Sequence, residues 1–172
     1  MNVEKRTISF SRAVVTDVPG DGTCLFHAIA FSLKNSKFCG GNLRDIVANV
    51  IERHPDALLH GVSIETWIQW ESNCTTLVYA KKLRSGMWGG ALEMTILASL
   101  LNVDMFVYVL DSESRYETGT NTNLMCSRVT DVLSDPTFLL LFEQPKMTKR
   151  KKICLLWVNK CHYMHLQLNL SK

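Results

Sequence analysis

Pro19-Gly20-Asp21-Gly22-Thr23-Cys24-Leu25-Phe26-His27-Ala28 is the stretch from which the fold of this chain can be worked out. Its first half is a turn: proline presets one backbone dihedral, and the glycines permit positive φ. Its second half opens an apolar helix, expected from Cys24 to about Leu33, with Leu25, Ile29, Phe31 and Leu33 as apolar positions. Cys24 therefore stands where a helix begins. Unpaired backbone N–H groups and the positive end of the helix dipole favour thiolate over thiol there. The same N–H groups can stabilise an oxyanion formed beside the sulfur. A free cysteine is most often a small buried hydrophobe, and Cys39, Cys74, Cys126 and Cys154 are assigned that role.

Outward from this stretch, Ala13 to Val18 is expected as a strand that Pro19-Gly20 stops. Asn42 is the expected N-cap of a second helix, with Leu43, Ile46, Val47, Val50 and Ile51 at helical spacing and His54-Pro55 as its end. Ser63 caps further helical sequence from Ile64 to about Leu83, broken near Asn73. Gly89-Gly90 opens a helix over Ala91 to Leu101. After Asn102 the chain turns β-branched and aromatic, which predicts strands at Met105–Leu110, Phe138–Phe142, Ile153–Val158 and His162–Leu168. Residues 111–136 are polar and form a long excursion. Helices first and strands second predict an α+β fold with a mostly antiparallel sheet.

At 172 residues, with 47% hydrophobic and 20% charged, the chain fits one domain over residues 1–172 and excludes wholesale disorder. A net charge of +3 is too small to argue for nucleic acid as the main partner. No apolar run is long enough for a membrane helix, and the polar start, Met-Asn-Val-Glu-Lys-Arg, does not suit a signal peptide. The six cysteines form no C-x-x-C pair, so free thiols in a reducing, cytoplasmic setting are expected. Cys154, Cys161, His162 and His165 invite a zinc reading, but the adjacent Cys161 and His162 face opposite sides of a strand. No metal and no cofactor are expected. Lys149-Arg150-Lys151-Lys152 is read as a solvated hairpin tip.

A nucleophilic cysteine needs a base, normally a distant histidine. His27 is one turn from Cys24 and is expected to pack or line a cleft. His54 sits at a helix end, where a cation offsets the dipole, and His60 lies in a loop. His162 and His165 share the last strand but face opposite ways. His162, beside a turn, is the one that can reach a cleft, although composition leaves the choice open.

The quoted stretch closely resembles the nucleophile motif of the ovarian-tumour (OTU) cysteine proteases, which are deubiquitinating enzymes. Trp88-Gly89-Gly90-Ala91-Leu92-Glu93 looks like the central Trp-Gly loop and helix of that family, and His162-Tyr163 looks like its general-base histidine. The resemblance implies a papain-like OTU fold, helices packed on a small mostly antiparallel sheet. It implies Cys24 as nucleophile, His162 as base, and Asp21 in the loop whose backbone forms part of the oxyanion hole. Trp88, Gly89 and Gly90 would border the channel for the ubiquitin tail. Glu93 would either fix this loop or serve as a favourable acid in a first helical turn.

The implied partner is ubiquitin or polyubiquitin, with ubiquitin-like modifiers as further candidates; no nucleic acid and no membrane are expected, and a monomer suffices. Asp56, Glu65 and Glu71 are candidate acids for the basic tail. The compact length suits a viral-type member. Many relatives carry Asp or Asn two residues after the histidine, where this chain has Met164. Asn159, the more remote Asp17, or a Cys–His dyad without a third member are the alternatives; a dyad predicts that Met164→Asp raises activity. A non-catalytic ubiquitin-binding module on the same scaffold, or a precursor-processing protease, are the competing functions.

Overall fold

The helix that follows the quoted turn, α1, runs Cys24–Leu33, as the apolar spacing predicts. The structure, a computed structural model, describes residues 7–8, 13–34, 37–110, 123–124, 129–131, 150–158 and 161–168. Before α1 lie two strands, β1 (Thr7–Ile8) and β2 (Ala13–Thr16). After it comes α2 (Gly40–Arg53), which begins three residues earlier than an N-cap at Asn42 predicts. Its N-cap is Cys39, in extended conformation and without a side-chain cap, so packing rather than capping chemistry sets this start.

A two-stranded ribbon, β3 (Leu58–Leu59) and β4 (Val62–Ser63), leads into α3 (Ile64–Ser72). Ser63 caps α3 by accepting the Thr66 N–H. Asn73 ends it in the left-handed conformation, and α4 follows at Thr76–Arg84. The helix α5 runs Ala91–Leu101 as expected and feeds β5, Val103–Leu110. Short strands β6 (Asn123–Leu124) and β7 (Val129–Asp131) fall in the polar excursion, and β8 (Lys151–Val158) and β9 (His162–Leu168) close the order. The expected strand at Phe138–Phe142 lies outside the described residues.

The main sheet has the order β1-β7-β5-β8-β9-β2-β6. All its pairings are antiparallel except β5 with β8. Strand alternation splits the apolar residues between two faces. Val103, Met105, Val107, Ile153 and Leu155 join the helices in the larger core around Phe26, Ile29, Leu43, Val47 and Leu97. Tyr108, Leu156, Val158, Met164 and Leu166 form a smaller cluster on the other face.

α1 is clamped onto the sheet from two sides. Ser32 bonds the buried His165 of β9, with Oγ 2.7 Å from Nδ1. Lys151 of β8 donates to the Leu33 carbonyl at the helix end, at 3.0 Å, where a cation suits the dipole. Lys152 lies over the Phe106 ring at 5.6 Å. Lys151 and Lys152 are therefore exposed strand residues with partners, which corrects their placement at a hairpin tip.

Candidate active site

The turn before Cys24 is built by its own side chains. The Asp21 carboxylate accepts the Thr23 N–H at Oδ1, 2.8 Å away, and its Oδ2 lies 3.2 Å from His27 Nε2. The Thr23 N–H, followed by His27, holds the Asp21 carboxyl below its ordinary range. Gly22 sits at φ +83°, and a side chain there would start 3.0 Å from the Gly86 carbonyl oxygen; glycine is required on both counts. Thr23 occupies the N-cap of α1, yet its side chain caps nothing. Cys24, the first helical residue, is buried at 7% exposure.

His162 lies against the middle of this loop: a side chain on Gly20 would start 4.0 Å from its Cε1. Its Nε2 is 3.0 Å from Oδ1 of Asp17, the residue that begins the loop. Asp17, left among the alternatives by sequence alone, is thus the acid in contact with the histidine. Asn159 lies outside the described residues. Met164 is buried with Tyr108, Leu156, Val158 and Leu166 under the sheet, which explains an apolar residue at that position. His165 faces α1, away from this group, while His54 and His60 are exposed.

A narrow cleft of about 120 Å³ opens over Cys24, lined by Trp88, Gly89, Trp157, Cys161 and Tyr163. Trp157 and Tyr163 face each other across the β8–β9 ladder and stack with centroids 6.2 Å apart. Burial, and then the neighbouring Cys24, push the Tyr163 phenol up to about 12, so it stays neutral. Trp88 is 63% exposed at the rim.

Gly89 packs so tightly on the start of α1 that a side chain would begin 2.8 Å from Leu25 Cδ2 and 3.0 Å from Phe26 Cε2. Gly90 is the N-cap of α5, and its N–H donates to Glu93 Oε2 at 2.6 Å. The other oxygen of the buried Glu93 accepts the Tyr79 hydroxyl at 2.8 Å. Glu93 therefore fastens the Trp-Gly loop. Burial raises its carboxyl, and the Gly90 N–H and Tyr79 hydroxyl offset part of that rise. Of the three candidate tail-binding acids, Glu71 has its carboxyl raised, by desolvation first and then by the charge of Glu93.

Arg44 carries no sequence motif and was not singled out by pattern. It is buried on α2 in line with Val47, Ala48 and Ile51, and an arginine inside an apolar stripe is the signal that marks it. Its guanidinium donates to the carbonyls of Gly22, Leu83 and Met87. Among the described residues no group of three metal-binding side chains occurs.

Residues 19–165 match the family of OTU-like cysteine proteases. Ubiquitin thioesterase OTU1 of Danio rerio is 27% identical over 93 residues, covering 52% of this chain. The chain spans 28% of that relative's length and 34% of the Gallus gallus counterpart, 25% identical. The fold is similar to the Hazara virus OTU bound to ubiquitin, with TM-score 0.63 and 16% identity over 97% of this chain and 89% of that one.

Proposed function

The chain belongs to the family of OTU-like cysteine proteases, and from that premise we propose that it is a deubiquitinase that hydrolyses the bond after the C-terminal Gly-Gly of ubiquitin. In this mechanism Asp17 accepts the Nε2–H of His162, which fixes the tautomer and leaves Nδ1 to take the thiol proton of Cys24. The thiolate attacks the glycine carbonyl, and the N–H groups at the start of α1 receive the developing oxyanion. Imidazolium, stabilised by Asp17, then protonates the departing amine. A thioester remains, and water activated by the same histidine releases ubiquitin. Trp88 and Gly89 border the slot for the extended tail, and Asp21 keeps the loop in shape.

The contact of His162, at the head of β9, with Asp17, 3.0 Å away on the loop that ends at Cys24, supports this reading most directly. Names of similar proteins agree with it: two are ubiquitin thioesterases, and the viral neighbour was solved with ubiquitin bound. Cys24, Cys39, Cys74 and Cys161 are free thiols, which supports a reducing compartment.

The test is turnover of a fluorogenic ubiquitin C-terminal substrate. Cys24→Ala is expected to remove activity by roughly three or more orders of magnitude with the fold intact, and His162→Ala nearly as much. A ubiquitin suicide probe should label Cys24. Near-native turnover by Cys24→Ala would defeat the mechanism, whereas binding of ubiquitin by a wild-type chain that hydrolyses nothing would leave a binding module.

A further inference from the structure

We propose that Arg44 is a positioning residue for this reaction: its guanidinium clasps the turn before Cys24 to the segment before Trp88, so that the oxyanion-binding backbone is oriented before substrate arrives. The inference rests on the proteolytic reading above and adds a residue to it. Nη2 of Arg44 donates to the Gly22 carbonyl at 2.6 Å and to Thr23 Oγ1 at 3.2 Å. Nη1 donates to the Leu83 carbonyl and, at 2.7 Å, to the Met87 carbonyl. The planar group also lies over the Phe26 ring, 4.8 Å from its centroid.

The peptide between Gly22 and Thr23 is thereby held at both ends. Arg44 pins its carbonyl oxygen, and Asp21 Oδ1 pins its N–H at 2.8 Å. A trans peptide is planar, so fixing both ends sets the orientation of this plane, one residue before Cys24 opens α1. Arg44 also engages the Thr23 hydroxyl, and that side chain leaves the first N–H groups of α1 uncapped. Those donors remain available for negative charge beside the sulfur.

Stability alone does not explain an arginine here. Burying a guanidinium is costly, and an apolar residue of similar volume commonly serves as well or better. A fork with five donors can span two backbone segments, whereas lysine, a point donor, cannot. The retained charge is therefore best accounted for by what it holds.

Two variants test this. Arg44→Met keeps an unbranched apolar stem without donors, and Arg44→Lys retains charge without the fork. Both are expected to lower kcat by about 30- to 100-fold with KM within about three-fold, as for loss of oxyanion stabilisation. Inhibition by ubiquitin aldehyde, whose adduct carries the tetrahedral oxygen, should weaken in step with kcat/KM. Alkylation of Cys24 by iodoacetamide forms no oxyanion and should change less than about three-fold.

Recovery by Arg44→Lys would overturn the clasp in favour of charge alone. An effect confined to KM, or an equal loss of alkylation, would overturn it too. Hydrogen exchange of the unliganded protein provides a readout independent of substrate: peptides 18–24 and 84–90 should both exchange faster in Arg44→Met, or in Arg44→Lys if the former does not fold. Unchanged protection in either peptide refutes the inference. If wild-type turns over no ubiquitin substrate, the proposed function fails, and exchange alone decides Arg44.

Discussion

At the scale of single residues, the acid in contact with His162 is Asp17, just past the end of a neighbouring strand, rather than a residue of its own strand. β2 pairs with β9 so that Val14 meets Gln167, Val15 meets Leu166 and Thr16 meets His165. Continued by one residue, the ladder sets Asp17 across from Met164, the position where the family resemblance expects an acid. The carboxylate has moved over one strand, and Met164 is left to fill the cluster beneath. Asp17→Ala is therefore expected to lower kcat/KM by about ten- to a hundred-fold, roughly 1.4–2.7 kcal/mol of barrier. Met164→Asp should not raise activity, contrary to the dyad expectation. A carboxylate among Tyr108, Leu156 and Leu166 should instead cost about 2 kcal/mol and lower Tm by about 4–8 °C. Activation by Met164→Asp, with Asp17→Ala silent, would reinstate the dyad. No spacing within the sequence relates Asp17 to His162; strand pairing does, which is why residue patterns left the third member open, while Cys24 stood out by its turn and His162 came from the family resemblance.

Among the elements, those whose ends carry side-chain or backbone signals lie close to where the sequence predicts them. The turn sets the start of α1, Ser63 caps α3, and Asn73 and Asn102 adopt the left-handed conformation that ends α3 and α5. The start of α2 was misplaced because Asn42 offers a good cap that the fold does not use. Arg44 escapes residue patterns for a related reason: propensity treats arginine as a surface residue, and its partners lie on segments distant in sequence. The Trp88–Gly90 loop shows how an element end becomes a functional wall. Gly89 is half-buried against Leu25 and Phe26, both fully buried, so there is little room for even one methyl group. Gly89→Ala is expected to push the loop into the cleft, with a loss of about ten-fold or more in kcat/KM and about 1–3 kcal/mol of stability. Steady-state kinetics beside a thermal melt would check this, and unchanged kinetics would mean that Leu25 and Phe26 yield instead.

Across the whole molecule, the α+β class and the mostly antiparallel sheet followed from where apolar periodicity changes. The parallel β5–β8 pair did not, because such a pair has no hairpin turn to announce it, and its strands are separated by the polar excursion. What joins the sheet to the site helix is His165, buried against Ser32 and Phe31, with Lys34 and Lys151 nearby. Burial first, then those two cations, hold its pKa below the ordinary histidine value of 6.5. The unfolded chain therefore takes up a proton at higher pH than the folded one. The contribution of His165 is complete above about pH 6.5 and is lost as pH falls through the folded value. Asp21 works in a lower window: its folded carboxyl lies below 3.8, so its contribution fades only under more acidic conditions. Tm of the wild-type protein should accordingly fall between about pH 7 and pH 5, and His165→Gln should flatten that slope while leaving turnover at neutral pH within about three-fold. Equal slopes in the two proteins would mean that another group links the sheet's stability to pH, and a large loss of turnover would move His165 from the packing of α1 into the chemistry beside it.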